Sequence, residues 1–98
     1  MQEKNVKVAV GKYLKSIGAY WLMPVQTGYG AATVDFLVCY NGRFYGIETK
    51  RPPTGAPTKG QEPTPRQALV MSAIIAAGGD ACVEYDVNLP NVKKMLVF

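Results

Sequence analysis

The sequence contains no histidine. This absence excludes His-based catalytic triads, zinc sites with histidine ligands and histidine general bases, so any catalysis must use carboxylates, lysine, tyrosine or a bound metal. Cysteine is scarce, and Cys39 and Cys82 sit in apolar, strand-like runs without a nearby partner. We expect both to be buried thiols in a reducing compartment, with neither a disulfide nor a zinc role.

Long apolar runs are also absent. No stretch approaches the ~20 residues of a membrane span, and the opening residues MQEKN lack the apolar segment of a signal peptide. We therefore expect an intracellular, cytoplasmic protein. Its 98 residues predict one domain, 1–98, and a hydrophobic content of 48% excludes a disordered tail. The net charge of +4 is consistent with a polyanionic partner, but many proteins without such a partner share it.

Apolar residues at helical spacing predict a first helix over residues 3–17, ended by Gly18. The opposite side collects a basic stripe of Lys4, Lys7, Lys12 and Lys15. This stripe is either a solvated face or a set of contacts to phosphates. Glu3 falls on the apolar side of the helix, so it is either part of a frayed terminus or a third carboxylate directed at a metal.

Two runs of β-forming residues, 33–40 and 43–50, flank Asn41-Gly42. Asn-Gly between such runs predicts a hairpin with a type I′ turn. The two-residue loop fixes the register, so that Asp35 lies opposite Glu48, and Lys50 leaves the sheet on the same face as Glu48. Because opposed like charges repel, a divalent cation between the two acids is favoured.

These residues could support phosphodiester hydrolysis. Asp35, Glu48 and the backbone carbonyl of Thr49 would offer hard oxygen ligands to Mg²⁺ or Mn²⁺. The Lys50 ammonium would orient the attacking water or stabilise charge on the phosphate. The ordinary alternative for Glu-x-Lys is a surface salt bridge.

Proline and glycine dominate residues 51–63, which carry Arg51 and Lys59. This segment is either a substrate-contacting loop or a plain linker. Thr64-Pro65-Arg66-Gln67 then provides an N-cap, a first-turn proline and a capping-box glutamine, so a second helix is predicted to Ala77. We expect its inner face to be formed by Ala68, Leu69, Met71, Ile74 and Ile75.

A strand over residues 80–85 follows, and the tail 92–98 is predicted as a short helix, a strand or both. Both faces of the central hairpin are apolar, so helices must cover both. The order α-β-β-β-α-β therefore predicts an α/β sandwich: a mixed central sheet of about four strands flanked by helices.

Asp35 followed by a turn and Ile47-Glu48-Thr49-Lys50 resembles the PD-(D/E)xK nuclease pattern. The stretch 28–79, with its TPRQ helix start and Gly78-Gly79, more narrowly resembles the virus-type replication-repair nuclease (VRR-NUC) domain. The superfamily's proline before the aspartate is replaced here by Ala32-Thr33-Val34.

This resemblance implies a restriction-endonuclease-like fold and metal-dependent DNA cleavage with Mg²⁺ or Mn²⁺. Asp35, Glu48 and Lys50 would be catalytic, Gln67 would lie at the site, and Glu3 would match an acidic metal ligand on the family's first helix. The capping box alone also explains Gln67. DNA contacts would come from basic residues, namely Lys4, Lys7, Lys12, Lys15, Arg51, Lys59 and Arg66.

Minimal stand-alone members of the family, often from phages, are similar in size to this chain. They imply a homodimer that acts on branched DNA such as Holliday junctions, in a bacterial or phage-infected cell. Exposed aromatic residues and the apolar end 95–98 are the candidate interface. Two alternatives stay open: a catalytically silent DNA-binding module on the same fold, and a small interaction domain whose acidic pair is incidental.

Overall fold

The computed structural model describes residues 3–25, 33–51 and 62–97. The first helix, α1, covers Glu3–Ser16 and buries Val6, Val10 and Leu14 along one side. It ends at Gly18, whose φ of 76° is favourable for glycine. The period of the apolar residues thus predicted both the helix and its end.

A hairpin forms the centre of the sheet, with β2 at Phe36–Tyr40 and β3 at Arg43–Thr49. Asn41 and Gly42 have φ angles of 51° and 79°, as a type I′ turn requires. Tyr40 faces Arg43, so the predicted register is confirmed.

The sheet is completed by β1 (Tyr20–Leu22), antiparallel to β2, and β4 (Asp80–Glu84), parallel to β3. The helix α2 (Pro65–Ala76) connects β3 to β4, and α3 (Pro90–Met95) follows β4. The strand order β1-β2-β3-β4 is that of a four-stranded mixed sheet, which confirms the predicted architecture.

The main core lies between one face of the sheet and the helices α1 and α3. Phe36, Val38, Tyr45 and Ile47 supply the sheet side of this core. The helix and tail side is formed by Val6, Val10, Leu14, Leu89, Val92 and Leu96.

The other face of the sheet is covered by α2, which contributes no fully buried residue. Its half-buried side chains are Gln67, Val70, Met71 and Ile74. The predicted inner face is therefore wrong at Ala68, Leu69 and Ile75, which are all exposed, the last two at 71% and 51%. The helix contacts a narrow strip of sheet, so only side chains at i, i+3, i+4 and i+7 reach it.

Cys39 is exposed, which contradicts the expectation of a buried thiol, whereas Cys82 is half-buried. Cys39 pairs with Phe44 on the sheet face opposite the main core, where Phe44 itself is 46% exposed. Burial, assisted by Glu84 and Asp80, raises the pKa of the Cys82 thiol to about 12. Among the described helices, none is long and apolar enough to pass through a bilayer.

Candidate active site

Asp35 occupies a bend immediately before β2. Its backbone N–H donates to Oε1 of Glu48 at 3.1 Å. Its Oδ2 accepts from the backbone N–H of Thr49 at 2.9 Å and from the Thr49 hydroxyl at 2.6 Å. The hairpin register therefore brings Asp35 beside Glu48, but the strand itself begins one residue later.

Glu48 and Lys50 form a buried ion pair. The two residues are 1% and 8% exposed, and Lys50 Nζ lies 3.2 Å from Glu48 Oε2. Burial and, after it, the nearby Asp35 carboxylate raise the pKa of Glu48 from 4.5 to about 7, while Lys50 acts in the opposite direction. Mainly because it is buried, and also because Asp35 is close, the Glu48 carboxyl is readily protonated near neutral pH.

Lys7 joins this site from α1. Its Nζ lies 3.7 Å from Asp35 Oδ1 and 3.4 Å from Glu3 Oε2. Helical periodicity predicted Lys7 as part of the DNA-binding stripe, and its position beside Asp35 was not predicted. The signal was its position four residues after Glu3, which puts both side chains on one side of the helix.

Glu3 thus reaches the acid pair through Lys7. Among residues 3–25, 33–51 and 62–97, no group of three or more histidine, cysteine or acidic side chains could hold a metal together. The structure places Lys7 between Glu3 and Asp35. A role for Glu3 as a metal ligand therefore stays a prediction.

Oxygen donors converge on the side of β3 that faces Asp35. The N–H of Thr49 points to Asp35, and the N–H and C=O of one strand residue point to the same neighbour. The Thr49 carbonyl is therefore directed to the same side as the two carboxylates. These hard oxygens suit Mg²⁺ or Mn²⁺, with water completing the coordination.

Gln67 forms part of the N-terminal cap of α2. Its Oε1 accepts from the N–H of Thr64 at 2.9 Å, and its own N–H donates to Thr64 Oγ1 at 3.2 Å. This capping box was predicted, and a place for Gln67 at the catalytic site stays a prediction.

The other basic residues predicted to bind DNA are dispersed. Three of them are exposed along α1, namely Lys4, Lys12 and Lys15. Arg51 and Arg66 are exposed on either side of residues 52–61, and Lys59 lies outside the described residues.

The chain matches no family model and no curated protein. A solved structure described as a VRR_NUC domain is similar to it, with a TM-score of 0.69 and 19% sequence identity. The similarity covers 94% of this chain and 90% of that chain. The protein therefore has the fold of a VRR_NUC domain, as the resemblance of its motifs predicted.

Proposed function

We propose that this protein is a Mg²⁺- or Mn²⁺-dependent endonuclease that hydrolyses phosphodiester bonds in DNA. The observation that carries the proposal is the buried Glu48–Lys50 pair beside Asp35, with Lys50 Nζ 3.2 Å from Glu48. A buried carboxylate is costly unless a cation compensates it, and here the buried Glu48 carboxylate lies beside a second, partly buried one, Asp35. The VRR_NUC fold adds support, because that domain is described by its name as a nuclease.

The cation would be held by Asp35, Glu48 and the Thr49 carbonyl. A bound Mg²⁺ or Mn²⁺ supplies Lewis-acid stabilisation of the phosphate and a more acidic water. The protein keeps the ligands in place: Thr49 donates two hydrogen bonds to Asp35, and Asp35 donates one to Glu48. Fixed ligands of this kind need little reorganisation during the reaction.

Lys50 is the proposed electrostatic catalyst. Its ammonium is held beside Glu48 with 8% of the residue exposed, so its charge is only weakly screened by water. It would stabilise charge on the phosphate oxygens or orient the attacking water. We do not assign it as a general base, because its Nζ is engaged by Glu48 Oε2 at 3.2 Å.

Branched DNA such as a Holliday junction is the proposed substrate, bound in the cytoplasm of a bacterial or phage-infected cell. The net charge of +4 and the exposed lysines of α1 favour a polyanion. A homodimer is proposed because a two-fold pair of sites can cut two strands symmetrically.

Within the apolar end 95–98, Leu96 is 5% exposed and belongs to the core, Val97 is 71% exposed, and Phe98 lies outside the described residues. A second candidate is the sheet face opposite α1. There Tyr20, Leu22 and Phe44 are 72%, 44% and 46% exposed. Exposed apolar patches on one face are typical of interaction surfaces.

The test is a cleavage assay on junction, flap and linear DNA, with Mn²⁺, with Mg²⁺ and with chelator. Lys50→Met should abolish cleavage while retaining the fold and DNA binding, whereas Lys94→Met, at an exposed lysine on α3, should cleave at a near-normal rate. Cleavage that persists in Lys50→Met contradicts the assigned role. Salt-sensitive DNA binding without cleavage under any metal condition supports a silent binding module instead.

A further inference from the structure

An apolar groove of about 380 Å³ lies between α1 and β1. Its size is within the usual range for small-molecule pockets, roughly 300–1,000 Å³. Its walls are formed by seven residues, namely Lys4, Lys7, Val8, Gly11, Trp21, Met23 and Phe36. Lys4 and Lys7 are the charged members of this set, which we call the Trp21 groove.

The apolar walls of the Trp21 groove are accessible. Val8 and Met23 are 53% and 46% exposed. Trp21 packs against Phe36, with ring centroids 5.6 Å apart, and this contact restricts the position of the indole. A Cβ on Gly11 would approach Trp21 Cη2 to 3.4 Å, so glycine leaves room for the indole beside the helix.

The Trp21 groove is continuous with the candidate active site. Phe36, one of its walls, directly follows Asp35 in the chain. Lys7 lines the groove and also places its Nζ 3.7 Å from Asp35 Oδ1. A group in the groove would therefore lie next to a phosphate bound at Asp35.

We propose that the Trp21 groove binds one unpaired nucleobase of the DNA strand, adjacent to the phosphate that is cleaved. The inference rests on the proposed nuclease function and extends it to the substrate. An apolar, aromatic-walled groove accepts the face of any base, while Lys4 and Lys7 match the charge of the neighbouring backbone.

This groove gives a physical reason for a preference for branched DNA. A base inside a duplex is stacked and cannot enter, unless the unstacking cost is met. Unpaired nucleotides in flaps and in gapped branches enter without that cost, whereas a fully paired four-way junction would have to release a base. Selection would then depend on DNA structure and not on base sequence.

Trp21 is the only tryptophan in the sequence, so its fluorescence reports on this groove directly. The full-length protein in chelator is titrated with a thymidine oligonucleotide and with an abasic oligonucleotide of equal length. The base-containing strand should quench Trp21 and bind about tenfold more tightly. Equal quenching by both strands, or none, overturns the proposal. This measurement needs no cleavage, so it is independent of the proposed activity.

Filling the groove provides a second test. Val8→Phe should weaken binding of the thymidine strand about tenfold and leave the abasic strand unaffected. The matched control is Val97→Phe, since Val97 is 71% exposed and remote from these walls. Circular dichroism confirms that both variants fold. Equal affinity of Val8→Phe and the parent protein for the thymidine strand overturns the proposal.

Cleavage of a flap substrate separates this inference from the nuclease function. An abasic site is moved one nucleotide at a time along the unpaired strand, and one position should reduce kcat/KM about tenfold. Metal-dependent cleavage that is indifferent to every abasic position leaves the nuclease standing and removes the base site. If DNA does not quench Trp21, and Val8→Phe converts a parent dimer into monomers in sedimentation, then the occupant of the groove is a second copy of the protein. That result also overturns the proposal.

Discussion

The backbone N–H of Asp35 donates a 3.1 Å hydrogen bond to the carboxylate of Glu48. The acid on β3 therefore holds the backbone position of the acid that precedes β2. At the same time the Asp35 carboxylate opposes ionisation of Glu48, which is 1% exposed. The pair is thus linked by one favourable and one unfavourable interaction, and the balance between them changes with pH.

Metal-free stability should fall as the pH rises from 4.5 to 7. Because the pKa of Glu48 is raised to about 7, the folded state keeps a proton that the unfolded state loses from pH 4.5 upward. Glu48→Gln cannot ionise, so its stability relative to the parent should increase by up to about 3 kcal/mol between pH 4.5 and pH 8. Urea unfolding at both pH values measures this. Glu62→Gln, at an exposed acid, is the control and should show no such trend. A Glu48→Gln difference that is constant with pH contradicts the prediction.

Metal affinity should rise with pH over the same range in which metal-free stability falls, because both depend on the ionisation of Glu48. A cation competes with the Glu48 proton, whose pKa is about 7, so Mn²⁺ should bind about tenfold more tightly at pH 8 than at pH 6. Calorimetric titration at the two pH values gives this ratio. In Glu48→Gln the binding should be weak and should lose this pH dependence. A pH-independent affinity in the parent would mean that Glu48 is not a ligand.

Thr49 should be important through its hydroxyl, which donates to Asp35 Oδ2 at 2.6 Å. Thr49→Val preserves the shape but removes this donor to a carboxylate, at a cost of about 2 kcal/mol. Urea unfolding provides the value. Thr49→Ser keeps the hydroxyl and should recover most of the loss. If valine and serine are equally stable, the hydrogen bond contributes little.

Local signals explain why much of the fold was predictable. Asn41-Gly42 defines its own turn, and a two-residue loop leaves one register for the hairpin. Thr64 and Gln67 form the capping box that their spacing predicts. The acid pair followed from that register, since Asp35 and Glu48 are equally distant from the turn.

The remaining features depend on contacts between distant elements. At the bend before β2, the N–H of Asp35 donates to the Glu48 side chain, a contact that no local sequence pattern encodes. The approach of Lys7 to Asp35 depends on how α1 lies on the sheet. The exposure of Leu69 depends on how little sheet α2 covers. Helical periodicity identifies an apolar side but not the width of the surface it meets.

Two glycines should differ in their tolerance of alanine. A Cβ on Gly79 would lie 2.3 Å from the carbonyl oxygen of Phe44, which is backbone and cannot move away easily. A Cβ on Gly46 would meet the flexible end of Ile74 at 2.7 Å. Gly79→Ala should therefore cost about 3 kcal/mol and Gly46→Ala about 1 kcal/mol. Denaturant unfolding ranks them, and the reverse order would contradict this account of the packing.

Glu84 should stabilise the fold without taking part in the site. It is fully buried, and its Oε1 accepts from the N–H groups of Asn91 and Val92, each at 2.9 Å, at the start of α3. Glu84→Gln removes the charge from these donors and should cost about 2 kcal/mol of stability. Mn²⁺ affinity of the folded variant should stay within about twofold. A large loss of metal binding would show that α3 and the site are coupled.

Lys7→Met should tighten metal binding. The Lys7 ammonium lies 3.7 Å from Asp35 Oδ1, so it repels any cation at the acid pair. At an effective dielectric constant intermediate between protein and water, its removal should increase Mn²⁺ affinity about 3- to 10-fold. Because the Lys7 side chain is 35% exposed, the gain should shrink at high salt. Lys15→Met, at an exposed position of the same helix, should leave Mn²⁺ affinity unchanged and instead reduce the salt dependence of DNA binding. Weaker metal binding in Lys7→Met would mean that Lys7 organises the acid pair and does not compete with the cation.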